Sequence, residues 1–225
     1  MSRLERLAPL TGVVFVALII VSLILIAEDA PDFVEEPREV ADYYAGNTGR
    51  LIAGFYIGAL ANVFLIWFAG SLRSALRSAE GGEGRLAAVA FGGGVAAAVL
   101  FIASDWINLA AVFRADEDGA IDPAVAASLN DVAGGFLGGG AALALGVLVA
   151  AAAVIALRSG SILPRWLAWI SLALAVLLVS PVGYIGTAIA ALWVVIVSVM
   201  LYVRQGPSES AGVSPAATPP GAGST

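Results

Sequence analysis

The amino-acid sequence predicts an all-α polytopic membrane protein, a bundle of six transmembrane helices with both termini in the cytoplasm. Three observations support this prediction. The chain is 60% hydrophobic and 12% charged, with a mean hydropathy of +0.95, whereas soluble domains are about half apolar and about a quarter charged. Its apolar residues form six continuous runs without the period-two alternation of barrel strands. Its arginines are concentrated on one side of those runs.

Each apolar run is near or above the length of about 20 residues that a helix needs to cross a bilayer core. The runs cover residues 10–27, 51–70, 86–113, 132–157, 162–179 and 182–203. The sixth run and most of the fifth, from Trp166 onward, form 38 consecutive uncharged residues, 166–203, a stretch too long for one span and suitable for two. Pro181 lacks a backbone N–H and disfavours helix at Ser180, so we expect the chain to turn between these spans.

The six spans are predicted to form one membrane domain, residues 1–205. The first run follows two arginines as a signal peptide would, but it is long and no clear cleavage site follows, so we interpret it as a retained span. Between the first two spans, Pro37 and Gly46 bracket a predicted short helix. Residues 206–225 are rich in Pro, Ser, Ala, Gly and Thr and carry one charge, so we expect a disordered cytoplasmic tail.

The charges orient the bundle, because cytoplasmic loops carry an excess of arginine. All eleven basic residues are arginines, and eight of them fall on one side of the predicted spans. The other side carries three arginines and most of the acidic residues. We therefore expect both termini in the cytoplasm. The eight arginines are Arg3, Arg6, Arg73, Arg77, Arg85, Arg158, Arg165 and Arg204.

Glycines recur at helical spacing in the second, third, fourth and sixth spans. Small residues allow helix backbones to approach closely in a membrane, so we predict tight packing at Gly58 and Gly138. The alternative is that glycines mark a broken helix at a transport site. No proline interrupts the second, third or fourth span, which favours packing. The first span has few small residues, so we expect it to face lipid and Gly12 to tolerate a large side chain.

Asp105 is the one acidic residue inside a predicted span. A charge there is unfavourable, which makes the residue a functional candidate. On its helix it shares a face with Gly94, Ala98 and Asn108, so we expect it to point into the bundle. The structural alternative is a packing residue, neutral or paired with Arg50 or a tyrosine hydroxyl. The candidate intramembrane polar site contains Asp105, Asn62, Asn108, Asn130, Asp131, Arg50 and Tyr184.

The composition argues against most catalytic chemistry. The chain has no Cys, no His and no Lys, so it has no disulfides, no thiolate metal site and no histidine base. It contains no Walker loop and no dinucleotide-binding glycine pattern. We expect no catalytic residues, no metal site, no cofactor and no nucleic-acid partner.

Two features of the chain resemble those of a known protein family. Arg50 opens the second span after a short helix, and residues 158–167 read RSGSILPRWL. These features resemble a widespread bacterial family of six-span proteins that is known only as a domain of unknown function. The likeness covers roughly residues 3–204 in topology, and S-G-x-[I/L]-L-P-R is its most specific part. The chain departs from it in the Gly- and Ala-rich third and fourth spans. The resemblance implies six spans and no particular activity.

The sequence thus predicts a non-enzymatic multi-pass protein of a bacterial plasma membrane, with the lipid bilayer as a partner and with any protein partner or small solute left open. Two more specific functions remain open. A small transporter or permease component would use a polar site around Asp105. A sensor or accessory subunit would bind a protein partner through its acidic or arginine-rich loops.

Overall fold

The structure is a computed structural model that describes residues 7–28, 30–31, 36–160 and 162–204. The predicted disordered tail, 206–225, lies outside these residues. Every regular element within them is helical: a 3-10 turn Ala8–Leu10, α1 Thr11–Ile26, α2 Pro37–Gly46, α3 Thr48–Glu80, α4 Arg85–Asp118, α5 Pro123–Gly134, a π-helical segment Gly135–Ala141, α6 Ala142–Ser159, α7 Arg165–Val179 and α8 Gly183–Arg204.

Prolines and an acidic cap set several helix boundaries. Pro37 and Pro123 occupy the first turns of α2 and α5. Backbone N–H groups in a first turn have no acceptor within the helix, so the N–H that proline lacks costs no helical hydrogen bond. The Asp122 carboxylate accepts hydrogen bonds from Ala124 N at 2.9 Å and Val125 N at 3.2 Å, which caps α5. Pro181 lies between α7 and α8, so the predicted turn is confirmed.

Five helical stretches of the described chain are long and apolar enough to cross a membrane: Ala8–Ile26, Thr48–Glu80, Arg85–Asp118, Pro123–Ser159 and Gly183–Arg204. The protein is therefore a helical bundle of the multi-pass membrane type. α7 is apolar but has 15 residues, about 22 Å of helix against a hydrocarbon core of about 30 Å. It starts later than predicted because Ile162 and Leu163 are buried in the turn before it.

Six helices form a closed ring in which each one packs on its two neighbours: α1, α3, α4, α6, α7 and α8. Contacts of α6 with α3 and α8 cross the ring. α3 and α4 form the most extensive pair, and they extend beyond the predicted spans because Leu72 and Leu76 are also buried between helices.

The turn between α3 and α4 is four residues long and is built on glycine. The Glu80 carboxylate accepts hydrogen bonds from Leu86 N at 2.9 Å and Ala87 N at 2.8 Å, which satisfies the first turn of α4. The backbone of the turn has three residues with positive φ, a conformation that favours glycine. These are Gly81, Gly82 and Gly84.

Buried side chains form two clusters. The larger one fills the ring of helices and consists mainly of Leu, Ala and Val. The smaller one packs α2 and α5 against the ends of α3 and α4, and Tyr44 is its largest fully buried side chain. We call this part of the molecule the Tyr44 end.

The packing at individual glycines differs from the prediction. A Cβ on Gly12 would overlap Ser198 Oγ and would lie 2.8 Å from Phe68 Cδ2, so the expectation that Gly12 faces lipid is wrong. Gly58 is tightly packed, as predicted. A Cβ on Gly138 would meet only Tyr184 Cβ, at 3.4 Å, which is ordinary contact, so the predicted close packing at Gly138 is also wrong.

Candidate functional site

A cavity of about 970 Å³ lies at the Tyr44 end. Its walls come from the end of α1, from α4 and α5, from the π segment, and from the turn between α7 and α8. Leu23, Ile26, Leu143 and Leu178 contribute apolar surface, and Asn108 and Asn130 contribute amide groups. We call it the Tyr44-end cavity.

The π segment explains why this space is empty of side chains. Its sequence, GFLGGGA, contains four glycines, and a wall of glycines has no side chains to fill the space beside it. A Cβ on Gly134, Gly135 or Gly139 would meet no atom within 4 Å. π segments inside α-helices are frequent at functional sites. The glycine cluster was visible in the sequence, but it was interpreted as helix packing rather than as a widened helix.

A hydrogen-bonded network closes one end of the cavity. The Tyr44 hydroxyl donates to Asn108 Oδ1 at 2.7 Å and lies 3.4 Å from Asn130 Oδ1. Asn108 Nδ2 donates to Ser104 O at 3.0 Å, and Ser104 Oγ donates to Ala133 O at 2.9 Å. The network therefore ties α2, α4 and α5 together. Both asparagines belong to the predicted polar site, whereas Tyr44 does not.

The environment of Tyr44 keeps its hydroxyl protonated. Burial raises the pKa of the Tyr44 hydroxyl above its ordinary range, and the adjacent Tyr43 adds to the shift. Tyr43 itself donates to Ile26 O at 2.5 Å, which fixes α2 on the end of α1. Tyr44 therefore acts as a neutral hydrogen-bond donor to Asn108.

The cavity carries little charge. Among the described residues that line it, Asp131 is the only charged one, and no arginine reaches the lining. Arg50 lies outside, where it pairs with the Glu28 carboxylate and donates to Glu28 O at 2.7 Å. The suggested pairing of Arg50 with Asp105 is therefore wrong.

The structure divides the predicted polar site in two. Four of its seven residues line the Tyr44-end cavity: Asn108, Asn130, Asp131 and Tyr184. Asp105, Asn62 and Arg50 do not line it. The Asp105 carboxylate lies instead beside Gly58 of α3, where the Ser22 hydroxyl of α1 approaches the same position.

The lining of the cavity combines polar groups with apolar surface. It offers amides, hydroxyls and one carboxylate beside a large apolar surface. Over the described residues, no group of three or more Asp or Glu side chains converges so that it could hold a metal ion.

No protein-family model matches this chain, and comparisons with curated proteins and with solved structures give no match. The resemblance to the six-span family therefore stays a prediction.

Proposed function

We propose that this protein is a non-enzymatic, six-span protein of a bacterial plasma membrane that binds a small amphiphile in the Tyr44-end cavity. In this proposal both termini are cytoplasmic and the Tyr44 end faces the outside. The asymmetric distribution of arginine and the closed ring of six apolar helices support this arrangement.

The observation that carries the proposal is the size and lining of the cavity. Its volume of about 970 Å³ lies at the upper end of the range of about 300–1,000 Å³ found for small-molecule sites. Such sites combine apolar walls with a few polar groups that fix orientation. Here the apolar part of a ligand would contact Ile26, Leu143 and Leu178, and its polar head would lie near Asn130 and Asp131.

The lining of the cavity also restricts the charge of the ligand's headgroup. A carboxylate without a neighbouring cation repels anions and attracts cations. We therefore propose an uncharged or cationic amphiphile rather than an anionic one.

Binding is favoured over passage through the bundle. None of the residues that line the cavity comes from the half of the bundle that contains Gly12, Gly93 and Ser198. In that half, a Cβ on Gly93 would lie 2.8 Å from the backbone of α6. The close approach leaves no space for a solute between α4 and α6 at Gly93.

A photo-crosslinking experiment tests the proposal. The protein in lipid nanodiscs is irradiated with diazirine-labelled decanol, and the labelled peptides are mapped by mass spectrometry. Labelling is expected in residues 134–143 and 178–184. Decyltrimethylammonium should compete strongly and decyl sulfate weakly, because of Asp131.

The chain offers a matched pair of variants for this experiment. Gly139→Leu places a side chain in the cavity without a clash, since nothing lies within 4 Å of its Cβ position. Gly92→Leu adds the same side chain at an equally open position outside the cavity. Gly139→Leu should reduce labelling about tenfold, equivalent to about 1.4 kcal/mol, and Gly92→Leu should leave it unchanged. Equal labelling of both variants would refute an amphiphile site in this cavity.

Cysteine accessibility tests the proposed topology separately. The protein has no native cysteine, so single cysteines can be introduced at Ser78 and Gly119. In intact cells an impermeant thiol reagent should label Gly119→Cys and spare Ser78→Cys. Labelling of Ser78→Cys and protection of Gly119→Cys would show that the bundle has the opposite orientation in the membrane.

A further inference from the structure

A second group of polar atoms lies between α1, α3 and α4, apart from the Tyr44-end cavity. A Cβ built on Gly58 would lie 3.0 Å from Ser22 Oγ and 3.1 and 3.3 Å from the two carboxylate oxygens of Asp105. The hydroxyl of α1 and the carboxylate of α4 thus converge on one position of α3 that has no side chain. Asn62 lies one turn further along the same face of α3.

The Ser22 hydroxyl and one N–H of the Asn62 amide already donate to backbone carbonyls of α3. Ser22 Oγ donates to Gly54 O at 2.8 Å, and Asn62 Nδ2 donates to Gly58 O at 2.9 Å. The lone pairs of Ser22 Oγ and the amide oxygen of Asn62 remain as hydrogen-bond acceptors. Asn62 Oδ1 is buried and accepts no hydrogen bond. Within the described residues, the Asp105 carboxylate has no hydrogen bond and no ion pair.

Burial makes this excess of acceptors unfavourable. Ser22 is 4% exposed and Asn62 is 1% exposed, and Asp105 is partly buried. Buried acceptors without donors are rare because desolvation is not repaid, and a carboxylate at membrane depth is more unfavourable still. The chain has no Lys and no His, and the nearest arginine along α3, Arg50, is held by Glu28.

A bound cation would satisfy the group. Carboxylate, amide and hydroxyl oxygens are the ligands that hard metal cations prefer. A single carboxylate balances a single positive charge. We propose that Asp105, Asn62 and Ser22 form a binding site for a monovalent metal cation, with Na⁺ as the cation to be tested.

This site is independent of the amphiphile proposal. None of its three residues lines the Tyr44-end cavity. A negative result for one proposal therefore does not contradict the other, because the first is tested with an amphiphile and the second with Na⁺.

The first test uses the wild-type protein. Purified protein is titrated with ²²Na⁺ in a scintillation proximity assay, with choline chloride holding the ionic strength constant. We expect saturable binding of one Na⁺ per chain, and a melting temperature higher in NaCl than in choline chloride. Absence of saturable binding, together with equal melting temperatures in the two salts, overturns the proposal.

Variants then identify the ligands. Asp105→Asn keeps the shape of the side chain and removes its charge, so Na⁺ binding should weaken at least about tenfold. Asp116→Asn removes an exposed carboxylate near the end of α4, outside both proposed sites, and should bind Na⁺ as the wild type does. Equal ²²Na⁺ binding by wild type and Asp105→Asn overturns the site.

A change of selectivity gives an assay that does not depend on loss of binding. Asn62→Asp is nearly isosteric and adds a second carboxylate to the group. The variant should therefore bind Ca²⁺ in preference to Na⁺, because two carboxylates balance a divalent charge. If Asn62→Asp keeps the cation preference of the wild type, Asn62 is not a ligand and the proposed site is wrong.

Discussion

Two runs of three glycines, 92–94 in α4 and 138–140 in the π segment, look alike in the sequence and have opposite surroundings in the fold. A Cβ on Gly93 would lie 2.8 Å from both Ala144 O and Leu148 N. A Cβ on Gly139 would meet no atom within 4 Å. The first run brings two helix backbones together, and the second leaves a cavity wall bare.

The difference shows what small residues do in two kinds of environment. No hydrophobic effect drives helices together in lipid, so close backbone contact stabilises α4 against α6. At Gly139 no atom lies within 4 Å of the Cβ position, and the widened π turns line the cavity. Stability therefore depends on the first run, and the proposed binding depends on the second.

The largest expected effect is at the closely packed run. Gly93→Ala should destabilise the protein by about 2–3 kcal/mol, because a methyl group would press on backbone atoms that cannot move away alone. Gly92→Ala is the control, since its Cβ position is open. Unfolding in a mixed-detergent titration measures both variants. Equal stabilities would mean that α4 and α6 are not in close contact at Gly93.

An intermediate loss of stability is expected at the Tyr44 end, where hydrogen bonds rather than close glycine contacts hold the helices together. Tyr44→Phe should destabilise the protein by about 1–2 kcal/mol, because Asn108 Oδ1 loses the donor that holds α2 on α4. Tyr56→Phe, at an exposed tyrosine, is the matched control. A Tyr44→Phe protein as stable as the control would show that the network does not hold the Tyr44 end together.

The pH dependence of the same variant sharpens this test. The pKa of Tyr44 is raised by folding, so its contribution to stability is complete below the ordinary tyrosine pKa of about 10 and declines as the pH rises above it. The difference in melting temperature between wild type and Tyr44→Phe should therefore narrow between pH 9 and pH 11. A constant difference over that range would contradict the buried state of the hydroxyl.

The smallest effect should have the opposite sign. Gly134→Ala adds a methyl group where nothing lies within 4 Å, at the end of α5. Alanine is favoured over glycine in a helix by about 0.5–1 kcal/mol. The melting temperature should therefore rise slightly, whereas it falls in Gly93→Ala. A fall in both would mean that the two regions share one kind of packing.

Several elements follow from local sequence alone. Pro181 predicts the turn between α7 and α8, and Pro37 and Gly46 predict the ends of α2, because these residues act through their own backbone. The apolar runs predict the long helices because a backbone that crosses lipid must satisfy its own hydrogen bonds. The convergence of Asn108 and Asn130 also follows, because both were placed at the same end of neighbouring spans.

Features that depend on neighbouring helices could not be predicted in this way. Asp105 and Asn108 are separated by about 60° around α4, which a sequence pattern counts as one face. In the ring, however, Asp105 lies beside Gly58 of α3, while Asn108 accepts a hydrogen bond from Tyr44 of α2. Gly12 was assigned to lipid for a similar reason, since its contact with Ser198 of α8 depends on closure of the ring.

The capped glycine turn between α3 and α4 has a consequence for the order of folding. Four residues join the two longest helices, and Glu80 closes the turn locally. Contacts between segments close in sequence form at a small cost in loop-closure entropy. α3 and α4 can therefore assemble as a helical hairpin during synthesis, before α6, α7 and α8 leave the ribosome. The later helices then close the ring upon a pair that is already formed.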